Sequence, residues 1–175
     1  PIRANQNEHS ENYSGNFMKM FAIEIGLLVL AGLILIIDLC ANKRKFHWIL
    51  FVSIGGLAAI LGHLIFHRND LIGLALHNCY SVTPLDLFFK AILILGSLFV
   101  LLIFSSRETT SDEFHGEPYL LILLGLVGAS FAASSGELIT LFISLEILTF
   151  ASYILTAYVK KDKVSSEAGL KYLIL

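Results

Sequence analysis

Long uninterrupted apolar blocks decide what this chain can fold into. A helix that crosses a bilayer needs roughly 20 mostly apolar residues. Five segments meet that test, at about residues 21–39, 48–66, 87–106, 119–136 and 138–159. A sixth begins near Ser165 and runs on to Leu175. The apolar residues fill whole blocks rather than one face of each, which rules out a soluble single core. Only 15% of the residues are charged, against about 25% in soluble domains. A hydrophobic content of 56% excludes disorder. A net charge of −2 without a long Lys/Arg run excludes nucleic acid as a partner. The expected fold is all-α: a polytopic transmembrane bundle of about five full spanning helices plus the start of a sixth, with the lipid bilayer as solvent.

Three stretches organise the chain. Residues 1–17 are polar and lack the order of a signal peptide, residues 18–117 hold the first three spanning helices with their loops, and residues 118–175 hold the fourth to sixth. Met18 or Met20 fits a native start, and the sequence reads as a piece of something longer. Basic residues in short loops set orientation. Lys43-Arg44-Lys45 and Lys160-Lys161-Asp162-Lys163 fall on one side by parity, so that side is expected to be cytoplasmic and the N-terminus outside. The loop from Arg107 to Glu117 shares that side although it is acidic; acidic residues weigh little in this rule. Cys40 and Cys79 are expected near opposite faces, too far apart to bridge. Pro118 can open the fourth helix, where a missing N–H costs nothing. Ser134 and Glu137 have capping-box spacing for the fifth. Gly125, Ala129, Ala132 and Ala133 would let a neighbouring helix approach closely.

Glu146 is the informative polar residue. A charge at the centre of a membrane helix costs at least about 2.5–3.5 kcal/mol on insertion scales, so something must hold it there. Thr149, Tyr153 and Thr156 follow on the same side of the helix and could line a hydrated path. Lys171 in the sixth helix is its natural partner across a short antiparallel connection, although their depths differ by about 10 Å. At about 4 Å such a pair attracts by about 4 kcal/mol at an effective dielectric near 20, so closing or opening it would capture or release a proton. The bland alternative is a salt bridge that only locks packing, with Lys171 snorkelling to the headgroups. Elsewhere, Asp86 and Lys90 have the order of an interfacial i,i+4 pair. Asp38 suits a local ion pair with Lys43 and Arg44, and Glu24 suits solvation at the outer surface. His63 and His67 share a face without a third metal ligand. No Gly-rich phosphate loop, nucleophile elbow or haem-ligand pattern is present.

One stretch resembles a known family. Ser-Gly-Glu-Leu-Ile-Thr-Leu-Phe-Ile-Ser-Leu-Glu-Ile at 135–147, Ser-Tyr-Ile-Leu at 152–155 and Lys-Lys-Asp-Lys-Val-Ser-Ser-Glu-Ala-Gly-Leu-Lys-Tyr-Leu at 160–173 resemble subunit N, the antiporter-like membrane subunit of proton-pumping NADH–quinone oxidoreductase (respiratory complex I). Asp-Leu-Phe-Phe-Lys at 86–90 is similar too, whereas roughly the first 60 residues match in hydropathy alone. The resemblance implies that Glu146 is a proton-pathway carboxylate and Lys171 its pathway partner. It implies a fold of about fourteen helices with two inverted repeats, of which this chain would supply three leading helices and half of one repeat. It implies membership of an enzyme complex whose NADH, flavin, iron–sulfur clusters and quinone belong to partner subunits, with no cofactor or metal on this chain. Other membrane subunits of the complex would be its partners, and the inner (plasma) membrane its multi-pass location. A multisubunit cation/proton antiporter and a membrane-bound hydrogenase share the same helix pair, and a purely structural subunit is the third reading.

Overall fold

Helices occupy the apolar blocks because a backbone without water must satisfy its own N–H and C=O groups. The computed structural model of the chain describes residues 21–40, 46–67, 73–75, 80–108, 116–158, 167, 171, 172 and 174. Five helices run through them: α1 Ala22–Cys40, α2 Phe46–Phe66, α3 Pro84–Glu108, α4 Glu117–Ala133 and α5 Leu138–Thr156. Each expected block is therefore a helix, with ends moved by a few residues. Of these, α1, α2, α3 and α5 are long and apolar enough to cross a membrane, whereas α4 has only 17 residues. Glu167, Lys171, Tyr172 and Ile174 are helical, within the expected sixth segment. Cys79, Lys43 and Arg44 lie outside the described residues.

A short element absent from the sequence reading joins α2 to α3. Strands β1 Gly73–Ala75 and β2 Tyr80–Val82 form an antiparallel pair in the register Gly73↔Val82, Leu74↔Ser81 and Ala75↔Tyr80. With three residues each, neither strand gives a readable alternation. The pair docks on the turn after α4, where the Ser81 N–H donates to the Ser134 carbonyl at 3.0 Å and Tyr80 bridges to Ser135. Chain direction puts this pair on the side where α1 begins, α4 ends and α5 begins; that is the near side below.

Helix α4 is the centre of the bundle and touches all four other helices. Both of its ends are held from α1. On the far side the Gly116 N–H donates to Asp38 Oδ1 at 2.9 Å, and a Cβ at Gly116 would sit 2.6 Å from that oxygen. On the near side the Ser130 hydroxyl donates to Glu24 Oε1 at 2.9 Å. Glu24 and Asp38 are 14 residues apart, as are Gly116 and Ser130, so the antiparallel helices are matched over about 21 Å. Asp38 thus serves a helix N-terminus, where an N–H that has no intrahelical acceptor donates to the carboxylate.

Two local expectations are corrected. Ser134 does not cap α5. It ends α4, its N–H donating to the Phe131 carbonyl at 3.2 Å, while the Ser135 hydroxyl donates to the Ala132 carbonyl at 2.8 Å. The last carbonyls of α4 claim these donors first, and Glu137 precedes α5 in an extended conformation without a side-chain cap. Asp86, in turn, joins a reciprocal cap with Thr83: the Thr83 N–H donates to Asp86 Oδ2 at 2.7 Å, and the Asp86 N–H to Thr83 Oγ1 at 3.3 Å. Pro118 sits in the first turn of α4, as its missing N–H predicts.

Apolar side chains on the outer faces, such as Ile36, Phe51, Phe99 and Ile139, are exposed and suit lipid. The closest helix approach is between α4 and α5. A Cβ on Gly128 would meet the Leu148 nitrogen at 2.8 Å and the Ser144 oxygen at 2.9 Å, backbone atoms that cannot step aside. Gly125, which the sequence singled out, is looser, its nearest neighbours lying at 3.6 Å. Gly128→Ala is expected to destabilise the detergent-solubilised protein by about 1–3 kcal/mol. Gly62→Ala, with nothing within 4 Å, should leave thermal unfolding unchanged.

Candidate functional site

The buried charge of the bundle lies where α1, α3, α4 and β2 converge on the near side. Glu24 is two residues into α1 and Lys90 six residues into α3, so both are inside the apolar layer. Lys90 Nζ lies 2.6 Å from Glu24 Oε1, with each side chain 1% exposed. The ammonium also donates to the Tyr80 hydroxyl at 2.9 Å and stands 5.3 Å from the Tyr80 ring centroid. With Ser130, Glu24 Oε1 therefore takes two donors. At 2.6 Å and an effective dielectric near 20, the pair attracts by about 6 kcal/mol. Removing the two ions from water costs several kcal/mol each, so the pair holds because the surrounding hydroxyls add to it.

An aromatic group closes the site toward the near surface. Phe21 stacks on Tyr80 with centroids 4.3 Å apart, and Phe131 stands 6.1 Å from Tyr80 and 6.4 Å from Phe21. Tyr80 is buried, and burial first, then the Glu24 carboxylate beside it, push its phenol well above the ordinary value of 10.0. It stays protonated throughout the physiological range. Two buried polar atoms, Glu24 Oε2 and Ser134 Oγ, have no aligned hydrogen-bond partner. Both groups neighbour the Tyr80 hydroxyl.

The expected solvation of Glu24 at the surface is thus overturned, and so is the Asp86–Lys90 pair. Glu24 is fully buried because α4 and β2 cover the first turn of α1, and Lys90 turns into the bundle toward this buried carboxylate. A usable signal was present: two opposite charges sit near the same ends of two apolar helices. Sequence spacing favoured the local partner Asp86 instead, and only packing shows that Thr83 has already taken it.

The residues expected to form the proton path are placed differently. Glu146 is half-buried on α5, about 12 Å along the helix from Leu138. Lys171 pairs with Glu167 at 3.1 Å, both side chains largely exposed, and no ion pair joins it to Glu146. The Thr149 hydroxyl donates to the Glu146 carbonyl at 3.0 Å, and the Thr156 hydroxyl to the Ser152 carbonyl at 2.8 Å. Tyr153 meets Tyr172 edge-on at 5.1 Å, so the segment carrying Lys171 does lie against α5. His63 and His67 stack at 4.8 Å, and among the described residues no group of three His, Cys, Asp or Glu gathers to hold a metal.

A bundle of helices long and apolar enough to span a membrane, with charge sealed inside, defines a polytopic membrane protein. Comparison with known proteins makes this particular. Residues 135–175 match the family described as NADH:quinone oxidoreductase/Mrp antiporter, transmembrane. The chain is 36% identical over 154 residues to NADH-quinone oxidoreductase subunit N of Anoxybacillus flavithermus, covering 86% of this chain and 31% of that protein. It is 31% identical over 151 residues to NAD(P)H-quinone oxidoreductase subunit 2 of Nostoc sp., covering 86% of this chain and 29% of that one. A structure of respiratory complex I from Thermus thermophilus with bound aureothin contains a chain of the same fold, with a TM-score of 0.69, 22% identity, and coverage of 87% of this chain and 32% of that one. The resemblance to an antiporter-like complex I subunit is borne out. It also reaches further toward the N-terminus than the motifs alone, since an alignment with subunit N of Dehalococcoides mccartyi, 36% identical over 160 residues, covers 90% of this chain and 32% of that one. The chain spans less than a third of the length of these relatives.

Truncating one partner of the buried pair, as in Glu24→Ala or Lys90→Met, should cost about 3–5 kcal/mol in unfolding experiments, because the other charge stays buried alone. The double variant Glu24→Leu/Lys90→Met is expected near wild type. For Tyr80 the raised phenol gives the sign of a pH effect. Stability is fully present below the ordinary value of 10.0 and is lost above it, because only the unfolded chain then gains by ionising. Tyr80→Phe should remove that alkaline component of the thermal unfolding profile.

Proposed function

We propose that the chain works within a proton-translocating membrane subunit of an NADH–quinone oxidoreductase, with Glu146 and Lys171 as proton-pathway residues. The observation that carries this reading is the family match over residues 135–175, which takes in both of them. Glu146 sits inside a spanning helix and is half-buried, which leaves it open to proton exchange. Lys171 is tied to Glu167 by an exposed i,i+4 pair, worth about 0.3–0.5 kcal/mol, which is easily given up. The Tyr153–Tyr172 contact supports an approach of the two segments. On this reading Glu146 holds a proton when Lys171 is distant and releases it when the ammonium closes on it, because a nearby positive charge favours the carboxylate. Thr149, Tyr153 and Thr156 supply the polar side of the path.

Electron transfer from NADH through flavin and iron–sulfur clusters to quinone belongs, on the same reading, to partner subunits, which drive the pair rather than react with it. The other membrane subunits are its neighbours, and the plasma membrane of a bacterial cell is its location. A second reading is favoured by the family description itself, which joins the oxidoreductases to the Mrp antiporters: a subunit of a multisubunit cation/proton antiporter, using the same two residues.

Glu146→Gln in the full-length parent complex, reconstituted in vesicles, should bring proton pumping below about a tenth of wild type with assembly intact. Unchanged pumping refutes the pathway role. Sodium-coupled proton movement without NADH would favour the antiporter.

A further inference from the structure

The near-side cluster carries chemistry that the Glu146–Lys171 reading does not use. Glu24 Oε1 is saturated by Lys90 and Ser130, yet Oε2 of the same carboxylate is buried without an aligned partner. A bare carboxylate oxygen inside protein costs more than almost any other unpaired group. Such atoms are rare and call for a ligand or a proton. Ser134 Oγ, equally buried and without an aligned partner, faces the same Tyr80 hydroxyl. Two orphaned polar atoms around one hydroxyl form a site of the kind that holds a single water, which needs two to four polar partners.

The surroundings of Glu24 are sharply one-sided. From α3 it faces the Lys90 ammonium, from α4 the Ser130 hydroxyl, and from β2 the Tyr80 phenol, with Asp86 the next charge beyond that phenol. The other helix packed on α1 is α2, whose His63 near this level is exposed and stacked on His67. Among the described residues, the Phe21, Tyr80 and Phe131 rings and the Ser134-Ser135 turn lie on the near side of the carboxylate.

We propose that Glu24 is a second proton-exchange site, at the near end of the bundle, in which a buried water held by Glu24 Oε2 and Ser134 Oγ passes protons between the carboxyl group and the near-side solvent. A hydronium at the surface is the proton source. Its proton moves along the water to Oε2, one O–H bond forming on the carboxyl as one breaks on the water. Glu24 ends neutral, the water ends neutral, and Lys90 keeps its ammonium protons and its bond to Tyr80. The cluster changes from zero net charge to plus one, and the tie from α3 to α1 is loosened. This role stands independently of Glu146.

Infrared difference spectra of the full chain in lipid vesicles, between neutral and acidic buffer, test it. Among the protonated-carboxyl carbonyl bands that shift in D2O, one component is expected to be shared by wild type and Glu146→Gln, to be missing from Glu24→Gln, and to return displaced in Glu24→Asp. In Ser134→Ala the band should persist while its H/D exchange slows about tenfold, the worth of one lost hydrogen bond. A carboxyl spectrum in folded Glu24→Gln identical to that of folded wild type overturns the proposal. Unchanged exchange in Ser134→Ala overturns the water path.

Discussion

A charge inside hydrocarbon must find its counter-charge inside the same layer, and the arrangement of this bundle follows from how Glu24 meets that demand. Its carboxylate draws Lys90 from α3, Ser130 from α4 and, through the lysine, Tyr80 from β2. Four elements are thereby fixed to one point. Apolar packing alone would not select this arrangement, since lipid satisfies an apolar helix face as well as another helix does. Polar contacts and close steric fit supply the selectivity. The near-side pair supplies the first and the Gly128 contact with α5 the second.

Helix α4 shows how the two work together. It has no charged side chain beyond its first residue, so it can be surrounded on all sides. It is short, so its ends fall where α1 offers a carboxylate at each level. Held at both ends from α1, it presents Gly125 and Gly128 to α5, whose outer face is otherwise open. The position of Glu146 is therefore set indirectly: through the α4 contact and through the Ser134-Ser135 turn that the β pair grips. The two charged sites differ in kind. One is sealed by aromatic rings; the other is half open along the helix that carries the family motif.

The helices were legible because the bilayer imposes a length and a composition that need no knowledge of neighbours. Phe21, Trp48, Leu138 and the Pro118 start could be read to within a few residues for that reason. The site was half legible. Glu146 stands out because it is a lone charge in an apolar run, and the residues around it carry the motif. Glu24, Asp38 and Asp86 were visible as charges but were given the nearest available explanation, solvent or a local basic or acidic neighbour. For Glu24 and Asp86 those explanations failed because a partner far along the chain, or a backbone amide, was closer in space; Asp38 accepts from the Gly116 N–H, while its expected partners Lys43 and Arg44 lie outside the described residues.

The sequence by itself determined that the chain is a membrane-spanning helical bundle and which of its helices carries the family's motif, because hydropathy and local motif are properties of contiguous residues. The tertiary structure alone decided which charges neutralise each other, which serine ends a helix rather than starting one, and which glycine admits a backbone. Those outcomes depend on distances between segments, and a side chain in a membrane pairs with whatever the fold brings within about 3 Å, not with what lies nearest along the chain.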